Sequence, residues 1–332
     1  MEIAILMSTY NGEKYLNEQL KSLFNQDIDD HMTIYIRDDG SKDYTFEIIE
    51  KWKSKLNIVL YKMKNIGPAK SFWYLFMNPE IQADYYAFCD QDDIWDSDKL
   101  RVGVEALSKC NEKPALWCSN CRIIDQNGTV ISEKMNIRMP NFNIISQLIC
   151  GTTQGCAMLF NNELRRYIFE KNVSIVPMHD FVILTYSIVI GKIIYDEHPY
   201  FSYRVHSNNV VANNGKKGVK RIKSSLKRWF ASENRNELSK FANVLLNDNK
   251  NFIDNDTQIY IKNLVRSKNN IVIRLRLVMD KKTSSNNKNV TSYDCRKLFK
   301  MKVRSILRLY VFHVTVCSIN LCHNFLKIFV HI

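Results

Sequence analysis

The chain lacks a basic stretch followed by a long apolar run at its start. Met1–Met7 reads directly as a strand, so no signal peptide is expected. Its nine cysteines are an odd number without framework spacing, and the lone C-x-x-C pair, Cys118 and Cys121, has no second pair to complete a metal site. Buried free thiols in a reducing cytoplasm are the expectation. No internal repeat and no nucleic-acid-binding module is present. Acidic residues are scarce late in the chain: residues 213–332 hold 25 Lys+Arg against 7 Asp+Glu, whereas residues 1–212 hold 22 against 27. The net charge of +13 therefore joins a mildly acidic body to a strongly basic tail.

With 332 residues and 45% hydrophobic content, the chain can bury one large core or two smaller ones. Its first 125 residues alternate between two patterns. Ile3–Met7, Thr33–Arg37, Ile58–Tyr61 and Tyr85–Cys89 predict strands. Between and after them come apolar positions at helical spacing: Tyr15 to Phe24, Phe46 to Trp52 behind a capping Asp43, Ala69–Met77 and Ser97–Lys109. Strand, turn and helix repeated four times predict an α/β fold, a mostly parallel sheet flanked by helices. In such a sheet ligands bind at the carboxyl ends of the strands. Three polar clusters fall there, Ser8–Gly12, Asp38–Ser41 and Asp90–Asp93, so segments far apart in sequence are expected to meet in one crevice.

Residues 115–212 break the alternation. Ala115–Cys118 and Arg122–Ile124 predict strands, with Asp125–Gly128 as a hairpin turn. Gln154–Phe160 predicts a strand and Asn161–Phe169 a helix; His179 opens an apolar helix to Ile190, and Lys192–Tyr195 and Tyr200–His206 predict further strands. Beyond lie a linker at 213–218, an amphipathic basic helix from Val219 to Phe230, and a second linker at 283–288. Leu309–Leu326 holds no charged residue, but its 18 residues meet only the lower limit for a membrane span and include His313, Asn320, His323 and Asn324. A spanning, an interfacial and a packed helix all remain open there.

The acidic knot Asp90-Gln91-Asp92-Asp93 follows the buried run Tyr85–Phe88. Three carboxylates in four residues repel one another unless a cation joins them, and a divalent metal carrying phosphates suits that place. An EF-hand is excluded, because Ile94 stands at the fifth position and no glycine at the sixth.

Taken in order, Ser8-Thr9-Tyr10-Asn11-Gly12, Asp38-Asp39-Gly40-Ser41 and Asp90-Gln91-Asp92-Asp93-Ile94-Trp95 resemble the signature of glycosyltransferase family 2, inverting enzymes of the Rossmann-like GT-A fold. The resemblance covers roughly residues 1–210. The Asp-Gln-Asp-Asp-Ile-Trp run, with His179-Asp180 and Tyr203-Arg204-Val205-His206 downstream, is similar to bacterial rhamnosyltransferases of surface-polysaccharide assembly.

The resemblance implies a GT-A domain over residues 1–212, with a nucleotide-sugar half at 1–125 and an acceptor half at 126–212. A basic helical region at 213–332 would follow and associate with a membrane. Thr9, Tyr10 and Asn11 would underlie the nucleotide, Asp39 would accept the ring N–H of the base, and Asn65 and Gly67 would close another side of the pocket. Asp90 and Asp92 form a D-x-D whose side chains point the same way on an extended segment. They would address Mg²⁺ or Mn²⁺ and the ribose, Asp92 as direct ligand and His206 as a further candidate; Arg204 would pair with phosphate oxygens.

Asp180 would be the general base, with a helix N-cap as its plain alternative. His179, Gln154 and Gly155 would lie on the acceptor side. His179 is a departure, since relatives often carry a second carboxylate there. The expected donor is dTDP-rhamnose or a UDP-hexose, and the expected acceptor a saccharide, lipid-linked at the inner face of the membrane. No nucleic-acid partner is expected. Two rivals stand beside this reading. A nucleotidyltransferase would usually carry a Gly-rich basic loop where Ser8–Gly12 stands, and a non-enzymatic basic binding protein would use the tail alone.

Overall fold

The protein's structure, a computed structural model, describes residues 1–110, 113–150, 153–206, 232–267, 270 and 273. The first half follows the alternation. Strands β1 (Glu2–Thr9), β2 (His31–Asp38), β3 (Ile58–Lys62) and β4 (Tyr85–Cys89) are interleaved with helices α1 (Leu16–Phe24), α2 (Thr45–Trp52) and α3 (Pro68–Phe76). All four strands are parallel, in the order β3-β2-β1-β4. Parallel strands covered on both faces read as continuous apolar runs, which is why β1 and β4 were legible.

The second half is mixed. It comprises β5 (Ile94–Trp95), α4 (Lys99–Ser108), β6 (Ala115–Ile124), β7 (Val130–Ser132), α5 (Ile144–Cys150), β8 (Met158–Asn161), α6 (Asn162–Glu170), α7 (His179–Ile190) and β9 (Lys192–Arg204). Antiparallel β8 joins β4 to β6, so a nine-stranded sheet runs β3-β2-β1-β4-β8-β6-β9-β5 with β7 beside β6. Two expectations change here. The pair of strands expected at 115–124 is one strand, and so is the pair expected within 192–206. Register shifts between Ser119 and Arg122 absorb the irregular Asp196–Pro199, so β6 and β9 stay paired along their length. The expected hairpin turn at Asp125–Gly128 is present, with Gly128 N–H on the Asp125 carbonyl at 3.1 Å. Gln154–Phe160 opens as a 3-10 turn, Gly155–Ala157, before β8 begins.

Alternation along the strands divides the core into two layers. Ile3, Ile5, Met7, Tyr85, Ala87 and Cys89 face α1, α2 and α4. Ala4, Leu6, Tyr86 and Phe88 face α3, α6 and α7. This second layer crosses the boundary expected at 212. Helices α8 (Ser232–Asn249) and α9 (Asn255–Arg266) contribute Phe241, Ala242, Leu245 and Ile261 to it. Phe241 meets Phe181 and Tyr186 of α7 edge-on, at 5.7 and 6.4 Å between ring centres. The expected segments 213–218, 219–230, 283–288 and 309–326 lie outside the described residues. Among the described residues no helix is long and apolar enough to cross a membrane.

Candidate active site

The carboxyl ends of β1, β2 and β4 lie side by side in the sheet. At the end of β1, buried Thr9 donates its hydroxyl to Asp38 Oδ2 at 2.9 Å, and its carbonyl accepts the Asp39 amide at 2.8 Å. The loop beyond is held from two sides. Gln91 brackets Tyr10, accepting its amide at 2.9 Å and donating to its carbonyl at 3.1 Å. Asn11 adopts a left-handed backbone (φ 47°) and exchanges hydrogen bonds with Ser41 and Lys42. Tyr10 itself is 47% exposed. The β1 and β4 ends therefore meet through Gln91, a residue that sequence reasoning passed over.

Asp39 is buried. Arg37 pairs with Oδ1, the Ile66 amide donates to Oδ1 at 2.8 Å, and the Gly67 amide donates to Oδ2 at 2.9 Å. Gly67 caps α3 with φ 84°, a conformation that favours glycine, and this aims its N–H at the carboxylate. Asp39 and Gly67 are thus brought together. Asn65 is exposed beside them, its amide 3.4 Å from where a Gly40 Cβ would stand.

At the acidic knot the three carboxylates have different neighbours. Asp90 is raised from its ordinary 3.8 to about 7, first by burial and then by the Asp92 charge, with a smaller rise from Asp180. Asp93 is fully buried and pushed well above the carboxylate range by desolvation and its two neighbours. Its Oδ1 accepts the Arg204 amide at 3.1 Å, while its Oδ2 has no partner among the described residues. Asp92 Oδ2 lies 2.7 Å from His206 Nε2, and that imidazole packs 5.0 Å from the Tyr15 ring.

Arg204 is buried, with its guanidinium bonded to Glu18, to the Asp92 carbonyl at 2.9 Å and to the Gln126 carbonyl at 3.4 Å, and lying 4.7 Å over Tyr15. These partners make it a strut that holds the knot.

Beneath the knot lies a cation that sequence reasoning missed. Lys99 is 1% exposed, donates to the Cys156 carbonyl at 2.6 Å and sits 3.2 Å over the Trp95 ring. Burial lowers its ammonium to about 8, against the nearby Cys156, Cys89, Asp93 and Asp90. A lysine in the first turn of a helix reads as a surface residue; the excess of carboxylates just before it was the available signal. The Cys156 sulfur lies within 4.8 Å of carboxylate oxygens of Asp90 and Asp93, and burial raises the thiol well above its ordinary range.

The residues fit a hard divalent cation on one side only. Asp92 offers carboxylate oxygens with the His206 imidazole 2.7 Å from one of them, donors that suit Mg²⁺ or Mn²⁺. The ligand atoms of Asp90, Asp93 and Cys156 also cluster within 4.8 Å, but a protonated thiol is a poor ligand for such an ion.

Asp180 stands in the first turn of α7, where Met178 and not Asp180 is the N-cap residue. Its Oδ1 accepts the Phe181 amide at 2.7 Å and its Oδ2 the Gly155 amide at 3.2 Å. A Cβ on Gly155 would stand 2.7 Å from His179 Nε2, so the close approach requires glycine. His179 corrects an expectation. It is 4% exposed, stacked at 4.1 Å on Phe72 and edge-on to Phe88 at 4.6 Å, and burial lowers it to about 4. It is a neutral core ring rather than an acceptor-facing group. The Gln154 side chain turns toward Met135, away from Asp180. The expected free thiols hold for Cys118 and Cys121, both buried and unpaired.

Comparison with known proteins agrees with this geometry. The model of the family described as Glycosyl transferase family 2 matches residues 4–171. A dTDP-rhamnosyl transferase of Shigella flexneri, RfbG, is 30% identical over 277 residues, covering 78% of this chain and 91% of that protein. The poly(ribitol-phosphate) β-N-acetylglucosaminyltransferase TarS of Staphylococcus aureus is 32% identical over 104 residues, 30% of this chain and 18% of that one. The crystal structure of S. aureus TarS 1–349 in complex with UDP-GlcNAc superposes with a TM-score of 0.55 at 15% identity, covering 92% of both chains, which establishes the shared GT-A fold. Neither a nucleotidyltransferase nor a non-enzymatic binding protein accounts for these matches. With its nucleotide-loop, acidic-knot and strand-end motifs on a GT-A sheet, the chain belongs to glycosyltransferase family 2 and is a glycosyltransferase.

Proposed function

We propose that this enzyme moves a sugar, with inversion, from a nucleoside-diphosphate sugar to a saccharide acceptor in bacterial surface-polysaccharide assembly. The observation that carries the reading is the turn at Gly155 and Cys156, whose Gly155 amide donates to Asp180 Oδ2 at 3.2 Å while the Cys156 sulfur lies within 4.8 Å of an Asp90 oxygen, so that both carboxylates flank one turn. The donor is dTDP-rhamnose or a UDP-hexose; similarity to the rhamnosyl transferase favours the former. The acceptor is lipid-linked, and the enzyme works as a peripheral protein at the inner membrane face.

Asp39 receives the imide N–H of a pyrimidine base: among the described residues its Oδ2 has the Gly67 amide as its one donor and keeps a second lone pair. Tyr10, itself exposed, offers its ring to the base, with Thr9, Asn11, Asn65 and Gly67 shaping the pocket. Asp90 faces the ribose, and Asp92 with His206 would hold Mg²⁺ or Mn²⁺. The chemistry such an ion supplies when bound is neutralisation of charge on the departing diphosphate.

Asp180 takes the proton from the acceptor hydroxyl. The acceptor oxygen then bonds to the anomeric carbon from the face opposite the diphosphate, and the carbon–oxygen bond to the diphosphate breaks with its electron pair leaving on phosphate. Gly155 N–H and Phe181 N–H keep the carboxylate oriented for that transfer.

The test uses purified enzyme, labelled dTDP-rhamnose and UDP-hexoses, and a bacterial membrane lipid extract as acceptor. Asp180→Asn is expected to lose transfer by roughly 10²- to 10⁴-fold while nucleotide still raises Tm as in the parent. Asp92→Asn is expected to abolish metal-dependent turnover. Full transfer by Asp180→Asn sinks the base assignment, and an unchanged metal response in Asp92→Asn sinks the ligand assignment.

A further inference from the structure

We propose that Lys99 is a positioning residue for glycosyl transfer, acting on Asp180 through the tight turn Gln154–Ala157. The proposal rests on the reading of Asp180 as the base. The turn is a narrow bridge between the acidic knot and Asp180. On the donor side the Cys156 carbonyl takes the Lys99 ammonium at 2.6 Å, and the Cys156 sulfur lies within 4.8 Å of carboxylate oxygens of Asp90 and Asp93. One residue earlier, the Gly155 amide holds Asp180 Oδ2 at 3.2 Å.

The bridge has little slack. The Ala157 amide closes the turn on the Gln154 carbonyl at 3.1 Å. His179, wedged against Phe72 and Phe88, fills the space where a Gly155 side chain would go. Among the described residues, the other carboxylate oxygen of Asp180 is held only by the amide of its own neighbour, Phe181. The direction of Oδ2 therefore follows the position of Gly155.

Lys99 is placed against two physical costs. It is buried, and it stands at the first position of α4, where the helix dipole disfavours a cation. The Cys156 carbonyl, the faces of Trp95 and Phe201, and the acids above offset them. A cation that served only to neutralise the knot would affect donor binding. One that sets the turn affects the proton-transfer step and leaves donor binding alone, so the two roles separate in kinetics.

The full-length Lys99→Met variant keeps the stem against Trp95 and removes the donor. Its kcat is expected to fall about 10- to 100-fold, with the KM for dTDP-rhamnose or UDP-hexose within about twofold of the parent. Added to Asp180→Asn, it is expected to cause no further loss, because both changes act through one group. An unchanged kcat overturns the proposal. So does a raised donor KM at constant kcat, or a double variant slowed by the product of the two single losses. Should Lys99→Met fail to fold, Gly155→Ala goes through the same cycle, and full kcat in that variant overturns the proposal too. If Asp180→Asn itself transfers at the parent rate, the base reading has failed, whatever Lys99→Met does.

Discussion

Asp90 holds its proton more tightly in the folded protein than in the unfolded chain, about 7 against 3.8. A carboxyl raised in this way contributes most to stability below its unfolded value, and the contribution is lost as pH climbs through the folded one. Asparagine mimics the protonated form. In metal-free buffer the Tm gained by Asp90→Asn over the parent is expected to be absent near pH 4, to grow toward pH 7 and then to level off. A gain independent of pH would refute the assignment. His179 acts in the opposite sense. Lowered to about 4, it gives stability above the usual imidazole range that is lost as pH falls toward 4. That contribution cancels when variant and parent are compared at each pH. The carboxylates were legible as residue types in sequence. The raised carboxyls of Asp90 and Asp93 were not, because they follow from burial, which depends on how distant elements pack over the knot.

At the scale of elements, apolar runs and turn residues were enough to find β1 to β4 and the helices between them. They were not enough for β9, where Pro199 and the charged pair Asp196 and Glu197 mimic a break that the pairing with β6 carries across. The join between β8 and α6 depends on one side chain. Asn161 Oδ1 accepts the Leu164 amide at 3.2 Å as helix cap and the Ala115 amide at 2.9 Å, and its Nδ2 donates to the Lys113 carbonyl at 2.7 Å. Its removal costs more than a cap, since two further backbone groups lose their partner. Asn161→Ala is expected to destabilise by about 2–4 kcal/mol, read as a lower urea midpoint at unchanged slope.

Across the whole molecule, the basic tail and the folded body are less separable than charge suggested. Composition changes after residue 212, yet α8 and α9 lie beyond that point and supply Phe241 and Ile261 to the same core as α7. Polarity hid this, because α8 carries its few apolar residues on one buried face. Cutting the chain after 215 would uncover Phe181 and Tyr186, so it would confound any test of membrane attachment. Neutralising the lysines and arginines between 216 and 231 avoids that. Such a variant is expected to lose co-sedimentation with anionic liposomes at low salt while keeping its Tm; binding unchanged would remove the peripheral-membrane reading.

The position of β8 also gives the enzyme a birth order. The parallel strands that carry Thr9, Asp39 and Asp90 leave the ribosome first and pair with one another. Strand β4 then waits for a partner roughly 70 residues downstream, a separation that slows closure. Only when Tyr86 meets Phe160 can the turn before β8 bring Gly155 to Asp180. A nascent chain would thus bring the strand ends at Thr9, Asp39 and Asp90 together before the turn that meets Asp180.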